Sequence, residues 1–594
     1  MDKKNTVIGV LLLLAAGVSF YFSAKYAPPP PVRPPAAAPA TSGSTTARNE
    51  APPPGPATTP SDATLRAGPK DEHPANFTTL ANEFIAVKFT DHGGAIDSIA
   101  LKKHLAVLGQ PGLYTLNQPQ AAPALSFADF PGADRDARYE LVSSNAAEIV
   151  YRAIVAGRLE ITRRYTLLGG TAGDPYQIRH ESTFRNLGTQ PLILPRGSVN
   201  IGTAAPINEQ DFGTYLNVGY HDGKDTSFLR RSELEGGGFL SNFGVGSKTD
   251  LPFIEKPVAV TWASVKNQFF AAFLTLDQPG TAIRLERVKT SPRAPVEDRR
   301  AYGVTGYALF DLKPLAAGAT VTWGATYYAG PKEYHRLANT DFFKHNEDLV
   351  MEFGFFGFFA KMLLTMMTWV HGWMGSVSPG WAWGWAIVLT TLILKIVFVP
   401  FTLAASRSAK RMQKLMPLVT ALREKHKDEP AKAQEAMMKL YKEHKVNPLG
   451  GCIPILITIP FFIGFFSMLQ SAAELRFAPF LWAHDLSAPD TVAYLLGLPL
   501  NIMPVLMGAT TIIQMRLTPT PTTDNAQATM MKLMPWIFMF ICYNFACALA
   551  LYSFVNGVFT IGQQIIINRL PEPVLATLPA ADGLKNVTPA KKKK

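Results

Sequence analysis

The sequence predicts a multi-domain α-helical membrane protein: an N-terminal anchor helix, an exported β-sandwich, and a five-helix membrane core that carries a cytoplasmic helical hairpin. Three observations predict it. Apolar residues make up 47% of 594 positions against 17% charged, and the charge deficit is concentrated in the C-terminal part. The run from Trp381 to Pro400 contains a single charged residue, Lys395; about 20 residues at ~1.5 Å rise match the ~30 Å hydrocarbon core of a bilayer. Between residues 76 and 335 the pattern changes to short alternating runs punctuated by turns.

At the N-terminus, Lys3 and Lys4 precede an apolar run from Thr6 to Phe22, compatible with a signal peptide or an uncleaved anchor. Lys25 would occupy the −3 position of a cut after Ala27, and no A-x-A pattern appears, which favours an anchor over 1–26. Residues 27–75, rich in Pro, Ala, Thr and Ser, cannot bury a core and form an extended tether. In the β region, Leu159 to Leu167 has apolar residues at every odd position except Arg163, and Gly169-Gly170 closes it. Phe84 to Phe89, followed by Asp91-His-Gly-Gly94, reads likewise as strand and turn. Asp211, His221, Asp222 and Glu233 stand at no metal or triad spacing and read as surface residues.

The segment 350–375 has Phe355, Phe359, Met362, Met366, Trp369 and Trp373 at three- and four-residue intervals. If it crossed the membrane, the β-domain would fall on the cytoplasmic side, against the anchor; it reads as an interfacial helix on the outer leaflet. The next run, 381–403, is the first core span. Three tryptophans at its start and basic residues after its end place Trp381 outside and Pro400 inside. An intramembrane lysine is expensive and marks a functional site by default. Lys395 is also near enough to Pro400 to snorkel to the cytoplasmic headgroups, so both readings stand. Thr391, four residues earlier, gives the same helical face a second polar group.

Residues 404–446 read as a hairpin. Met412, Leu415, Val419 and Leu422 recur at helical spacing, Asp428-Glu429-Pro430 starts a second helix, and Ala433, Met437, Leu440 and Tyr441 share one side of it. From Arg407 to Lys445 there are eleven Lys/Arg against five Asp/Glu. Four further spans are expected at 449–471, 492–515, 532–545 and 546–567, with a basic cytoplasmic tail over 571–594. The last two spans form one apolar stretch too long for a single crossing, which must turn near Asn544-Phe545. The apolar runs 449–471, 492–515, 533–544 and 546–567 contain no charged residue, and Gln470, Gln514, Asn556, Gln563 and Gln564 add polar groups to them. A lone cation with amides fits a water-filled groove open to the cytoplasm. The net charge of +12 clusters between apolar runs and in Lys591 to Lys594; it orients the chain in a membrane and gives no DNA-binding stripe. Cys452, Cys542 and Cys547 all lie in apolar runs without C-x-x-C spacing. No metal site or cofactor is expected.

Three motifs carry a resemblance: Lys445-Val-Asn-Pro-Leu-Gly-Gly-Cys452, Phe480-Leu-Trp-Ala-His-Asp-Leu-Ser487, and Gln434-Glu-Ala-Met-Met-Lys-Leu-Tyr441. With an exported β-domain behind an anchor, the chain resembles bacterial membrane protein insertases of the YidC/Oxa/Alb superfamily. The resemblance implies a bacterial inner-membrane protein with both termini cytoplasmic, a periplasmic β-supersandwich, and five core spans enclosing a positively charged hydrophilic groove. It implies no enzymatic activity and no cofactor. The implied partners are nascent membrane proteins, membrane lipid, the Sec translocon, the ribosome and the signal-recognition machinery. The family's Thr-x-x-x-Arg falls on Thr391 to Lys395, so lysine replaces the groove arginine: a point charge in place of a bidentate fork. Where the family often has paired tyrosines, Tyr552 is followed by Ser553, and the turn between the last spans reads Phe545-Ala-Cys-Ala548 without Pro-Ser-Gly. Groove candidates are therefore Lys395, Thr391, Gln514 and Tyr552; hairpin candidates for partner binding are Arg407, Lys410, Arg411, Lys414, Lys439 and Lys442.

Competing classes predict other features. A transporter calls for paired intramembrane charges or an internal repeat, and neither is present in the sequence. An anchored sugar-modifying enzyme has no use for five further spans and shows no acid/base pair here. An assembly chaperone uses the same apolar surfaces as an insertase; loss of the hairpin separates the two.

Overall fold

A computed structural model describes residues 65, 73–208, 211, 213–234, 251–290, 299–427, 429–444, 446, 453–517 and 525–569. The expected anchor, nearly all of the tether, the basic tail and Cys452 lie outside the described residues. Packing is described within residues 63–521 and 535–594, which form one compact unit; 522–534 belongs to another.

Among the described residues, sixteen strands build the first half. β1 (Phe77–Ala81), β2 (Ile85–Thr90), β3 (Ala95–Leu105) and β4 (Leu113–Leu116) make an antiparallel four-stranded sheet in sequence order. The second sheet has twelve strands: β5 (Phe127–Ala128), β6 (Glu140–Ser144), β7 (Glu148–Val155), β8 (Leu159–Leu167), β9 (Gln177–Asn186), β10 (Gly197–Ala204), β11 (Asn217–His221), β12 (Thr226–Arg230), β13 (Phe253–Lys266), β14 (Phe270–Lys289), β15 (Tyr302–Phe310) and β16 (Thr320–Pro331). Its main path runs β12-β11-β13-β14-β16-β9-β8-β7-β6, and β14-β15-β10-β5 branches from it.

The branch makes the sandwich. The first half of β14 pairs with β16 and the second half with β15, because a register break between Pro257 and Trp262 of β13 lets the long ribbon bend. Side chains then close the space between branches: Phe310 stacks on Trp323 at 4.7 Å, and the Tyr327 hydroxyl donates to the Ile201 carbonyl at 2.8 Å. Arg163, the exception in the apolar alternation of β8, sits fully buried in this core. Its guanidinium donates to the carbonyls of Gly93 and Leu125 and lies 4.4 Å from the Phe127 ring centre. A polar residue at a core position is thus tied to a turn whose Gly93 and Gly94 have φ of +70° and +53°.

Among the described residues, seven helices of more than ten residues follow: α1 (Gly357–Val377), α2 (Ala382–Lys425), α3 (Pro430–Glu443), α4 (Ile453–Ser471), α5 (Ile502–Leu517), α6 (Asn525–Cys542) and α7 (Cys547–Arg569). The first span and the first limb of the hairpin, expected as separate pieces over 381–403 and 404–446, are one continuous 44-residue helix, α2. At ~1.5 Å per residue it is about 66 Å long, twice a hydrocarbon core, so its basic half projects beyond any bilayer its apolar half crosses. Pro400 and Pro417 lie inside it, each removing one backbone donor without ending the helix. Met412 and Leu415 of α2 form a separate small core with Val446, flanked by Tyr441 of α3. Among the described residues, α2 (from Pro379) and α7 are the helices long and apolar enough to cross a membrane; Ile459–Ser471, α5 and Leu533–Cys542 are shorter apolar helices.

The span expected over 492–515 is corrected. Residues 491–501 form a β-hairpin, β17 (Thr491–Leu495) and β18 (Leu498–Asn501), and the helix begins only at Ile502. Leu496 and Gly497 both take positive φ, and Pro504 sits in the first helical turn. Hydropathy alone reads this apolar strand pair as more helix.

The β-domain seats directly on the helices. The Tyr215 hydroxyl donates to Gln470 Oε1 at 2.7 Å, and Gln268 Nε2 donates to the Gln470 carbonyl at 3.0 Å. Arg476 donates to the carbonyls of Leu105 and Ala106 at 2.5 and 2.7 Å, over the stacked rings of Tyr114 and Phe270. Beside this seat, burial pushes the Glu474 carboxyl up to about 8 and holds the Lys332 ammonium well below its ordinary range.

Candidate functional site

The site is a polar seam between two apolar helices. On α2, Lys395, Thr402 and Lys410 are seven and eight residues apart, so they share one helical face. On α7, Thr560, Gln563 and Ile567 do the same. The faces meet in order: Lys395 Nζ donates to Thr560 Oγ1 at 2.9 Å, Gln563 Nε2 donates to Thr402 Oγ1, and Lys410 Nζ donates to the Ile567 carbonyl at 2.7 Å. Because numbers rise together on both sides, α2 and α7 run parallel.

Each threonine is prepared as an acceptor. Thr560 gives its own hydroxyl proton to the Asn556 carbonyl at 2.7 Å, and Thr402 gives its proton to Phe398 at 3.0 Å, so lone pairs face the lysine and the amide. Lys395 is half-buried, and the partner shown for its ammonium is the neutral Thr560 hydroxyl. An ammonium has three protons, and Thr560 takes one. Lys410 does different work: it caps a carbonyl in the last turn of α7, where helix carbonyls have no intrahelical donor. Asn568 Nδ2 donates to the Leu517 carbonyl at 3.2 Å, tying the ends of α7 and α5 together. Gly557 permits this approach, since a Cβ there would lie 2.7 Å from Thr510 Oγ1.

The other expected groove residues are distributed around the seam. Thr391 is buried and donates to the Ile387 carbonyl of its own helix at 2.7 Å, which spends its proton on the backbone. Tyr552 packs its ring on Phe465 of α4 at 4.3 Å, two turns before Thr560. Gln514 is half-buried on α5. In the hairpin, Arg407, Arg411, Lys414, Lys439 and Lys442 are exposed. Thr402 and Thr560 were not singled out from the sequence, although Asn556, Thr560 and Gln563 recur at four- and three-residue spacing in an otherwise apolar helix. No cluster of three or more His, Cys, Asp or Glu able to hold a metal occurs among the described residues.

Two family models match the chain: the YidC periplasmic domain over residues 78–366 and the 60Kd inner membrane protein over residues 373–573. A membrane protein insertase YidC of Paraburkholderia phymatum is 31% identical over 432 residues, which is 72% of this chain and 70% of that relative. The chain belongs to the YidC family of membrane protein insertases. The YidC of Cupriavidus necator is 41% identical over 260 residues, 44% of this chain and 44% of that relative, so that match spans less than half of the relative's length. A crystal structure of an active YidC insertase covers 84% of this chain and 93% of its own, at 16% identity and a TM-score of 0.32. The two YidC-family regions meet inside α1, which carries the last residues of the periplasmic match and the first of the inner-membrane match.

Proposed function

We propose that this chain inserts newly made proteins into the bacterial inner membrane, using the α2–α7 seam as a hydrated, positively charged halfway station. The observation that carries the reading is Lys395, half-buried between apolar helices and held by one neutral hydroxyl. A carboxylate competes well for its remaining protons, because a charge-assisted bond is roughly twice as strong as a neutral one. An acidic flank of a substrate would stop there partway across, which shortens the apolar distance left to cross. The adjoining apolar segment would leave along the exposed faces of α4 and α6, where Ile459, Trp536, Ile537 and Phe540 offer a surface as apolar as lipid. Burial of about 20 apolar residues supplies the net drive, so no nucleotide is needed.

In this reading the chain's N- and C-termini are cytoplasmic, the β-domain is periplasmic, and α1 lies along the outer leaflet with Phe358, Trp369 and Trp373 facing lipid. The exposed basic side chains of the α2–α3 hairpin recruit the ribosome or signal-recognition machinery, and the Sec translocon is a further partner. The test is reconstitution of wild type, Lys395→Ala, Lys395→Arg and Lys395→Glu in liposomes, scoring protease protection of a small membrane protein with an acidic exported tail. Loss with Ala and Glu and retention with Arg are expected. Wild-type insertion by Lys395→Ala refutes the charge step.

A further inference from the structure

The β17–β18 hairpin has no role in the seam, and its composition is unusual for an exposed loop. Among described residues it shows Leu496 at 96% exposure, with Tyr494, Leu495 and Leu498 at 66% or more. From Thr491 to Met515 the sequence has no charged residue. The hairpin turn is the pair Leu496-Gly497, with φ of +51° and +81°. That geometry favours Asn-Gly, because asparagine tolerates the left-handed region and leucine does not. An apolar tip is thus kept at a conformational cost.

The root of the hairpin is fixed. The Tyr543 hydroxyl donates to the Pro499 carbonyl at 2.7 Å, Asn501 Nδ2 donates to the Tyr543 carbonyl at 2.8 Å, and Thr491 Oγ1 donates to Asn501 Oδ1 at 2.6 Å. Asp490 Oδ2 accepts from the Met503 amide at 2.7 Å and from Trp482 Nε1 at 2.9 Å. These bonds hold the ribbon at the end of α6 that carries exposed Phe540 and Ile541, and at the start of α5. The exposed apolar surface is therefore continuous from the hairpin to the exposed apolar faces of α5 and α6.

We propose that this hairpin is a membrane-inserting element whose tip, Tyr494 to Leu498, enters the outer phospholipid leaflet beside α5 and α6; this rests on those helices crossing the bilayer. A protein partner is disfavoured, because interfaces carry a polar rim and the tip has none. A two-stranded ribbon has unpaired backbone groups along both edges, so it cannot enter the hydrocarbon centre. It rests at the headgroup boundary, its side chains reaching about 5–10 Å inward and the Tyr494 phenol at headgroup level.

The test uses the full chain with Cys452, Cys542 and Cys547 changed to Ala, reconstituted in phosphatidylethanolamine/phosphatidylglycerol vesicles. An environment-sensitive fluorophore is attached to Leu496→Cys, with Asp225→Cys as the aqueous reference and Phe540→Cys as the lipid reference. The Leu496 probe should be blue-shifted, several-fold less accessible to iodide than the Asp225 probe, and quenched more by shallow than by deep nitroxide lipids. If iodide reaches it as readily as the Asp225 probe while the Phe540 probe stays in lipid, the hairpin proposal fails and the spans stand. Protection from both iodide and nitroxide lipid places the tip against protein and also overturns it. An iodide-accessible Phe540 probe would refute the spanning of α6, and the proposal with it.

Discussion

Gly384 offers a sharp test of how the N-terminal end of α2 is packed. Phe480 is held edge-on between Trp381, at 5.9 Å between ring centres, and Trp385, at 5.6 Å, and its ring lies on the flat surface that Gly384 leaves. A Cβ at position 384 would overlap the Cγ and Cδ2 of Phe480 and come within 2.6 Å of its Cβ. The ring cannot simply slide, because Phe480 and Ala483 exchange backbone hydrogen bonds at 2.8 and 2.9 Å. Overpacking of this kind costs about 1–3 kcal/mol. Ala for Gly inside a helix returns about 1 kcal/mol, so Gly384→Ala should destabilise by up to roughly 2 kcal/mol. The assay is a double-mutant cycle with Phe480→Ala, read as unfolding monitored by tryptophan fluorescence in detergent. With the ring gone, Gly384→Ala should become neutral or stabilise by up to about 1 kcal/mol. Equal destabilisation in both backgrounds refutes the packing argument.

Two further outcomes concern the seat of the β-domain. Glu474 has a folded-state carboxyl raised to about 8 from an ordinary 4.5, so the folded protein holds a proton that the unfolded chain has released; stability should fall by roughly a few kcal/mol as pH rises from about 4.5 to 8 and level off above. Melting temperatures of wild type and Glu474→Gln across that range check it, the variant losing most of this slope. Arg476→Lys keeps the charge but loses the fork that donates to two carbonyls, and amide exchange in the Leu105–Gly112 loop should speed up while β8 and β9 stay protected.

The sequence by itself determined the class of each segment. Alternation fixed the strands, as in β8, where even the odd residue Arg163 kept the inward phase. Apolar length and the clustering of lysine and arginine marked the helical half, and the lone charge at Lys395 singled out a candidate residue for the site. Those signals are local, because a hydrophobic face or an expensive charge is legible one residue at a time. What lay beyond was pairwise. That Lys395 meets Thr560, 165 residues away, and that Lys410 caps α7, depend on two helices running parallel. Thr391 shares a helical face with Lys395, yet its proton goes to its own backbone, a choice sequence spacing does not encode. The hairpin before α5 was read as helix because hydropathy measures how apolar a segment is, and only the positive φ of Leu496 and Gly497 turns that segment back on itself.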